Sequence, residues 1–254
     1  MRKSERTFIN IENLTLGYGG HAVVENLNFN INAGDIFVIM GLSGCGKSTI
    51  MRSIVGLNKP MSGHIIVDNK DMWAISEQAR EKVIETFGVS YQSGALFSSM
   101  TFGENVALPM EMKTNMSRRE IEKQVHKKLE LVGLAGYENI YPVDASGGMI
   151  KRAALARALA LNPRALFFDE PSAGLDPVRS KQLDDLIVTI NKKMGTTIIM
   201  VSHELASIMS IATKSVYIGN KTARAMGRPQ QILKTTKNAE IIEFLTRETK
   251  GDKK

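Results

Sequence analysis

Ile36-Phe37-Val38-Ile39-Met40-Gly41-Leu42-Ser43-Gly44-Cys45-Gly46-Lys47-Ser48 is the stretch on which the fold turns. Its first five residues are apolar without a break, the pattern of a strand covered on both faces. The next eight fit G-x-x-x-x-G-K-[ST], and residues 48–55 read as a helix. A buried strand, a glycine-rich turn and a helix in that order form a loop whose backbone N–H groups wrap phosphate. In that loop Lys47 reaches the outer phosphates and the Ser48 hydroxyl coordinates Mg²⁺. Four specified positions arise by chance in roughly one chain in a hundred of this length, so the strand before them carries much of the inference.

Outward from this unit, residues 8–16 (FINIENLTL) and 23–31 alternate apolar and polar side chains, which predicts a half-buried antiparallel sheet. Residues 165–168 and 196–201 are further apolar runs, separated by a helical pattern over 178–192. Strands alternating with helices predict an α/β protein with a mostly parallel sheet. From about 95 to 160 the character is helical. Ser117-Arg118-Arg119-Glu120 is a capping box, Ile121, Val125, Leu129 and Val132 recur every three or four positions, and an alanine-rich helix is expected to run on through residue 161.

The 254 residues suffice for a sizeable core, and 43% apolar with 23% charged residues excludes disordered and fibrous classes. The single cysteine, Cys45, leaves no internal disulfide. No charged-then-apolar leader opens the chain, so a cytoplasmic location is expected, and no apolar run reaches the ~18 residues of a membrane span. The formal charge of +7 suits nucleic acid, an anionic membrane face or a phosphate-binding protein. Much of the excess lies in residues 1–6 and 250–254, which read as solvated tails.

Asp169 and Glu170 close the run Leu166-Phe167-Phe168, which suits Asp169 to hold a metal's water shell and Glu170 to orient or deprotonate an attacking water. His203 ends the run 200–204, at the strand end where ligands of open α/β sheets gather. Gln92 could touch Mg²⁺ or the water, or be a plain surface glutamine. Asp144-Ala145-Ser146-Gly147-Gly148-Met149-Ile150-Lys151 reads as a helix start with uncovered N–H groups, an anion-binding feature. Cys45, beside Lys47 at a helix N-terminus, is expected to favour thiolate.

In order and spacing, residues 41–48, Gln92, Ser146-Gly147-Gly148-Met149, 166–170, Ser172-Ala173-Gly174-Leu175-Asp176 and His203 resemble an ABC transporter ATPase over roughly residues 8–228. The resemblance implies a P-loop core with an N-terminal antiparallel β subdomain and a helical insertion near 95–160, followed by a tail over 229–254 with a short helix. It implies ATP and Mg²⁺ as ligands, with Tyr18, Gly41, Leu42, Ser43, Gly44, Cys45, Gly46, Lys47, Ser48 and Thr49 binding ATP. Ser48, Gln92 and Asp169 hold the metal, and Lys47, Gln92, Glu170 and His203 serve catalysis. Two copies pack head to tail, so that Ser146, Gly147, Gly148 and Met149 meet the neighbour's ATP and Asp176 lies at the dimer contact. Where leucine is usual before Ser146, this chain has Ala145, which loosens local packing without touching phosphate chemistry.

A narrower resemblance follows from Tyr91-Gln92-Ser93-Gly94-Ala95-Leu96-Phe97, Asn105-Val106-Ala107-Leu108-Pro109 and the run from Ser146 through Arg157. These look like the MlaF group, ATPases that serve Mla phospholipid transport between Gram-negative membranes. The implied partners are an MlaE-type permease docked on the helical insertion, an MCE-domain (MlaD-type) protein and a STAS-domain (MlaB-type) protein, without nucleic acid, at the cytoplasmic face of the inner membrane. Ala95, Leu96, Phe97 and Met100 could instead be plain core. Another ABC importer, or a non-transport ATPase acting on nucleic acid, are the alternatives. The apolar residues of 231–247 suit either a small helix on their own domain or an arm on the partner protomer.

Overall fold

The computed structural model describes residues 6–246; the outer parts of both expected solvated tails lie outside them. Along the chain run β1 (Thr7–Tyr18), β2 (His21–Asn32), β3 (Ile36–Met40), α1 (Lys47–Ile54), β4 (Ser62–Val67), β5 (Lys70–Asp71) and α2 (Glu77–Ile84). Next come β6 (Phe87–Ser90), α3 (Phe102–Lys113), α4 (Arg118–Leu131), α5 (Gly147–Ala158), β7 (Ala165–Asp169) and α6 (Pro177–Met194). The chain then continues with β8 (Thr197–Val201), α7 (Leu205–Ile211), β9 (Lys214–Gly219), β10 (Thr222–Gly227), α8 (Pro229–Thr235) and α9 (Ala239–Thr246). These elements form two compact units: one takes the chain up to Ile84 and again from Thr197, the other is Glu85–Thr196.

The first unit has two kinds of sheet. β1 pairs antiparallel with β2 and β4, and the apolar members of the alternation, Ile9, Ile11, Leu14 and Leu16, are all buried. Gly19 and Gly20, both at positive φ, close the β1–β2 hairpin with the twist that such turns require. β3 lies between β8 and β9, parallel to both, with Val38 opposite Met200 and Ser215. Every residue of β3 and β8 is buried, as the unbroken apolar runs predict. Phe29 stacks on Phe37 at 5.6 Å and joins the two sheets' cores.

The carboxy-terminal helices pack on this same unit. Ile232, Ile241 and Leu245 are buried, and Phe244 meets Tyr217 of β9 edge-on at 5.2 Å. Two helices, α8 and α9, stand where one short helix was expected, because Thr236 to Asn238 break the run, and both bury apolar side chains on their own unit.

In the second unit β6 pairs parallel with β7, and α3, α4 and α5 pack together. Thr101 with Glu104 and Ser117 with Glu120 form complete capping boxes at α3 and α4. α5 stops at Ala158, sooner than expected. Asn162 precedes Pro163, takes a φ of 51° and accepts a hydrogen bond from the Lys128 ammonium at 2.6 Å, so the helix cannot run on.

Candidate functional site

In the first unit the turn between β3 and α1 holds Gly41, Gly44 and Gly46 at φ of 149°, 78° and 99°. A methyl on Gly41 would sit 2.3 Å from the Ile218 carbonyl oxygen, and one on Gly46 would sit 2.6 Å from Val24 Cγ1. Space and backbone conformation therefore both demand glycine. α1 has no side-chain cap and no acid in its first turn, which leaves its N–H groups open to an anion. Leu42, Ser43 and Gly44 are exposed, and Ser48 and Thr49 are half-buried on the first turn.

Lys47 is only 6% exposed, and its ammonium donates to the carbonyls of Gly41 at 3.0 Å and Leu42 at 2.8 Å. The charge is thus held over the loop, where a phosphate would compete with the two carbonyls for it. Cys45 departs from expectation. Burial pushes its thiol up from the ordinary value and outweighs the lowering influence of Lys47, 4.0 Å from the sulfur, so the thiolate is not favoured.

Tyr18, at the end of β1, is 52% exposed, and its hydroxyl accepts a hydrogen bond from Asn58 at 2.8 Å. The ring face is held in place while remaining accessible to a planar ligand. His203 is exposed just past β8, at the same strand end of the parallel group as the loop after β3.

In the second unit β7 ends on Asp169, 8% exposed, while Glu170 turns the backbone to a φ of 51°. The two carboxylates therefore leave the strand in different directions. Lys151 of α5 donates to the carbonyls of Pro171 at 2.7 Å and of Ala173, fixing the turn after Glu170. Burial lowers the Lys151 ammonium below its ordinary value, and the charge of Glu170 opposes this.

Ser146 caps α5, its Oγ accepting from Met149 N at 3.4 Å. A Cβ on Gly147 would meet nothing within 4 Å, and one on Gly148 only Arg179 Cδ at 3.8 Å, so the surface over both N–H groups is open. A cavity of about 210 Å³ adjoins them, lined by Ser146, Gly148, Met149, Arg152 and Arg179 among others. It is smaller than the ~300 Å³ at which ligand pockets begin, so this face offers contacts without enclosing a nucleotide. Asp176 caps α6, accepting from Val178 N and Arg179 N at 3.0 Å each. The Arg179 N–H above all holds its carboxyl below the usual range.

Gln92 is exposed beyond β6. The loop after it is pinned by Arg157, which donates to Ala95 O at 2.8 Å and Gly94 O at 3.0 Å. Asn105, fully buried, accepts from Phe97 N at 2.9 Å and donates to the carbonyls of Phe97, Met100 and Thr101 at 2.9 to 3.1 Å. Phe97 itself is 52% exposed, so it is not plain core. Asn105, Lys151 and Arg157 lie within recognisable motifs, yet nothing in the sequence gives them a task. Their partners are backbone carbonyls, which carry no sequence signal.

Residues 24–173 match the family model of the ABC transporter. The chain belongs to the ABC transporter family. As an ABC ATPase it binds ATP and hydrolyses it. The chain is 37% identical over 246 residues to the intermembrane phospholipid transport system ATP-binding protein MlaF of Haemophilus influenzae, covering 97% of this chain and 93% of that one. It is 38% identical over 237 residues to the probable ribonucleotide transport ATP-binding protein mkl of Mycobacterium leprae, covering 93% and 68%. Among solved structures, the dimeric post-hydrolysis state of the ATP-binding cassette MJ0796 bound to ADP and Pi superposes with a TM-score of 0.78 at 29% identity, covering 87% of this chain and 98% of that one. No helix among the described residues of this ABC ATPase is long and apolar enough to cross a membrane.

Proposed function

We propose that this ABC ATPase powers a phospholipid transporter of the Mla type, as a homodimer bound to an MlaE-type permease at the cytoplasmic face of the inner membrane. The observation that carries this reading is the match to MlaF, which takes in 97% of this chain and 93% of the relative. An MCE-domain protein and a STAS-domain protein complete the assembly. Phe97, held out by Asn105 in the loop after Gln92, lies on the surface that receives the permease.

In this mechanism Tyr18 stacks on adenine, and the loop from Gly41 to Ser48, with Thr49, cradles the phosphates while Lys47 transfers its hydrogen bonds from carbonyl to phosphate oxygen. Ser48, Asp169 and Gln92 offer hard oxygen donors of the kind magnesium takes and would hold that ion, which would neutralise phosphate charge. Glu170 accepts the proton of the attacking water and His203 contacts the γ-phosphate. Ser146, Gly147, Gly148 and Met149 give their open face to the ATP of the other protomer, and Asp176 lies at the contact between them. Because ATP touches both protomers only when they close, binding favours closure and loss of the γ-phosphate releases it.

The match to mkl supports a second reading, an ATPase of a ribonucleotide transporter. Affinity purification of the chain from its native membrane, with mass spectrometry of proteins and lipids, separates the two. Recovery of a multi-spanning permease, an MCE-domain protein and phospholipid supports the Mla reading. Recovery with a permease that carries ribonucleotide, or with ribosomes or DNA, contradicts it.

A further inference from the structure

α9 lies at the end of the chain, yet its first turn reaches the strand that floors the phosphate loop. Met40, the last residue of β3, pairs with Tyr217 of β9, and Gly41 then packs directly on the Ile218 carbonyl. Residues 217–219 therefore set where the loop begins. Tyr217 is fully buried, and its hydroxyl donates to Glu240 Oε1 of α9 at 3.0 Å. Glu240 occupies the space beside Gly219, where a methyl would come within 3.1 Å of its Oε1. Asn238 in turn fixes Glu240 by accepting from its backbone N–H at 3.0 Å.

We propose that Glu240 is a positioning residue for ATP binding, acting through Tyr217 and β9 to hold the phosphate loop, so that the carboxy-terminal helix controls nucleotide affinity. A carboxylate accepting from a buried phenol is a strong, directed bond, and it ties α9 to the strand on which Gly41 rests. Charge links the same groups. Burial is the first cause that raises both the Cys45 thiol and the Tyr217 phenol; beside it Lys47 lowers and Glu240 raises the thiol, and the Glu240 hydrogen bond and charge raise the phenol. The loop cysteine is thus a built-in reporter of the Glu240 charge.

The proposal rests on the phosphate loop binding ATP, and the test reads the two apart. In the full-length chain, Tyr217→Phe removes the hydroxyl while keeping the ring, and Glu240→Gln removes the charge while keeping the shape. Circular dichroism and thermal melting confirm that each is folded. Tyr217→Phe is expected to weaken binding of a fluorescent ATP analogue about fivefold, the loss of roughly one hydrogen bond's worth of positioning. Glu240→Gln is expected to move the pH profile of Cys45 alkylation downward, about threefold faster at a pH just below the thiol's midpoint, while Glu243→Gln on the same helix leaves it in place. Wild-type affinity in both Tyr217→Phe and Glu240→Gln overturns the proposal, whether or not the alkylation profile moves. Failure of the unaltered chain to bind the analogue overturns the reading of the loop itself, and with it any control of affinity by α9.

Discussion

Asp169 and Glu170 are sequence neighbours whose backbone directions part: Asp169 closes β7 in a strand and Glu170 takes a left-handed φ of 51°. A non-glycine residue in that region costs of order 1 kcal/mol, and the hydrogen bonds from Lys151 to the carbonyls of Pro171 and Ala173 hold the turn that imposes it. In the proposed mechanism these adjacent carboxylates take separate tasks, and replacing Glu170 by Gln keeps the shape and removes the proposed base. ATP binding is expected to persist while turnover falls by about a hundredfold or more, with a dimer accumulating on gel filtration in ATP. Unchanged hydrolysis would remove Glu170 from its assigned role.

Ser146→Arg places a long cation on the open face over Gly147 and Gly148, which in the proposed mechanism meets the other protomer. Hydrolysis should be lost while the monomer's affinity for ATP, measured by fluorescence titration, stays at the wild-type value. Affinity lost in parallel would put Ser146 in the monomer's own site.

Cys45 should behave as a buried thiol. Because burial raises its pKa, the neutral form persists through neutral pH and alkylation accelerates only above the ordinary thiol range. Peptide mass spectrometry should show slow labelling at pH 7, faster labelling at alkaline pH, and protection by ATP at both. Rapid labelling at pH 7 would mean that Lys47 outweighs burial.

How far the sequence carried the reading is clearest at these residues. The run from Ile36 to Ser48 is legible because strand, turn and helix are contiguous and the turn's three glycines all take a positive φ. The expected thiolate at Cys45 is not found because its helix and its lysine neighbour can be read from spacing, whereas its burial cannot. Asn105 and Arg157 were invisible as supports for a different reason: they bond to backbone carbonyls whose positions exist only once the loop has folded. The end of α5 was missed because alanine propensity outweighed the Asn162-Pro163 stop in the reading.

Asn105→Ala tests that support. It would take the side-chain partner from Phe97 N–H and from the Met100 carbonyl, while the Phe97 and Thr101 carbonyls keep the N–H groups of Met100 and residue 105, at a cost of about 2 to 4 kcal/mol if the first two stay dry. The isolated subunit should retain ATP hydrolysis, with a lowered melting temperature, while stimulation by the membrane partner disappears. Normal stimulation would detach Phe97 from the docking surface.

Asp176 predicts a pH effect at α6. Its carboxyl is held below the usual range by the Arg179 and Val178 N–H groups, so its capping contribution is present above the ordinary carboxylate range and lost as pH falls through the folded value. Measured against the intrinsic exchange rate at each pH, protection of the Val178 and Arg179 amides should fall under acid, and fall equally in Asp176→Ala at neutral pH. Exchange unaltered by the substitution would show that the side chain is not the cap.

The central claim is that ATP hydrolysed by this chain moves phospholipid. The chain and its co-purified membrane partners, reconstituted in liposomes with a fluorescent phospholipid, should transfer lipid to acceptor MCE-domain protein or vesicles only with ATP and Mg²⁺, and not with Glu170→Gln. Lipid movement that ignores ATP or survives Glu170→Gln, or ATP-driven movement of ribonucleotide in its place, would contradict the account.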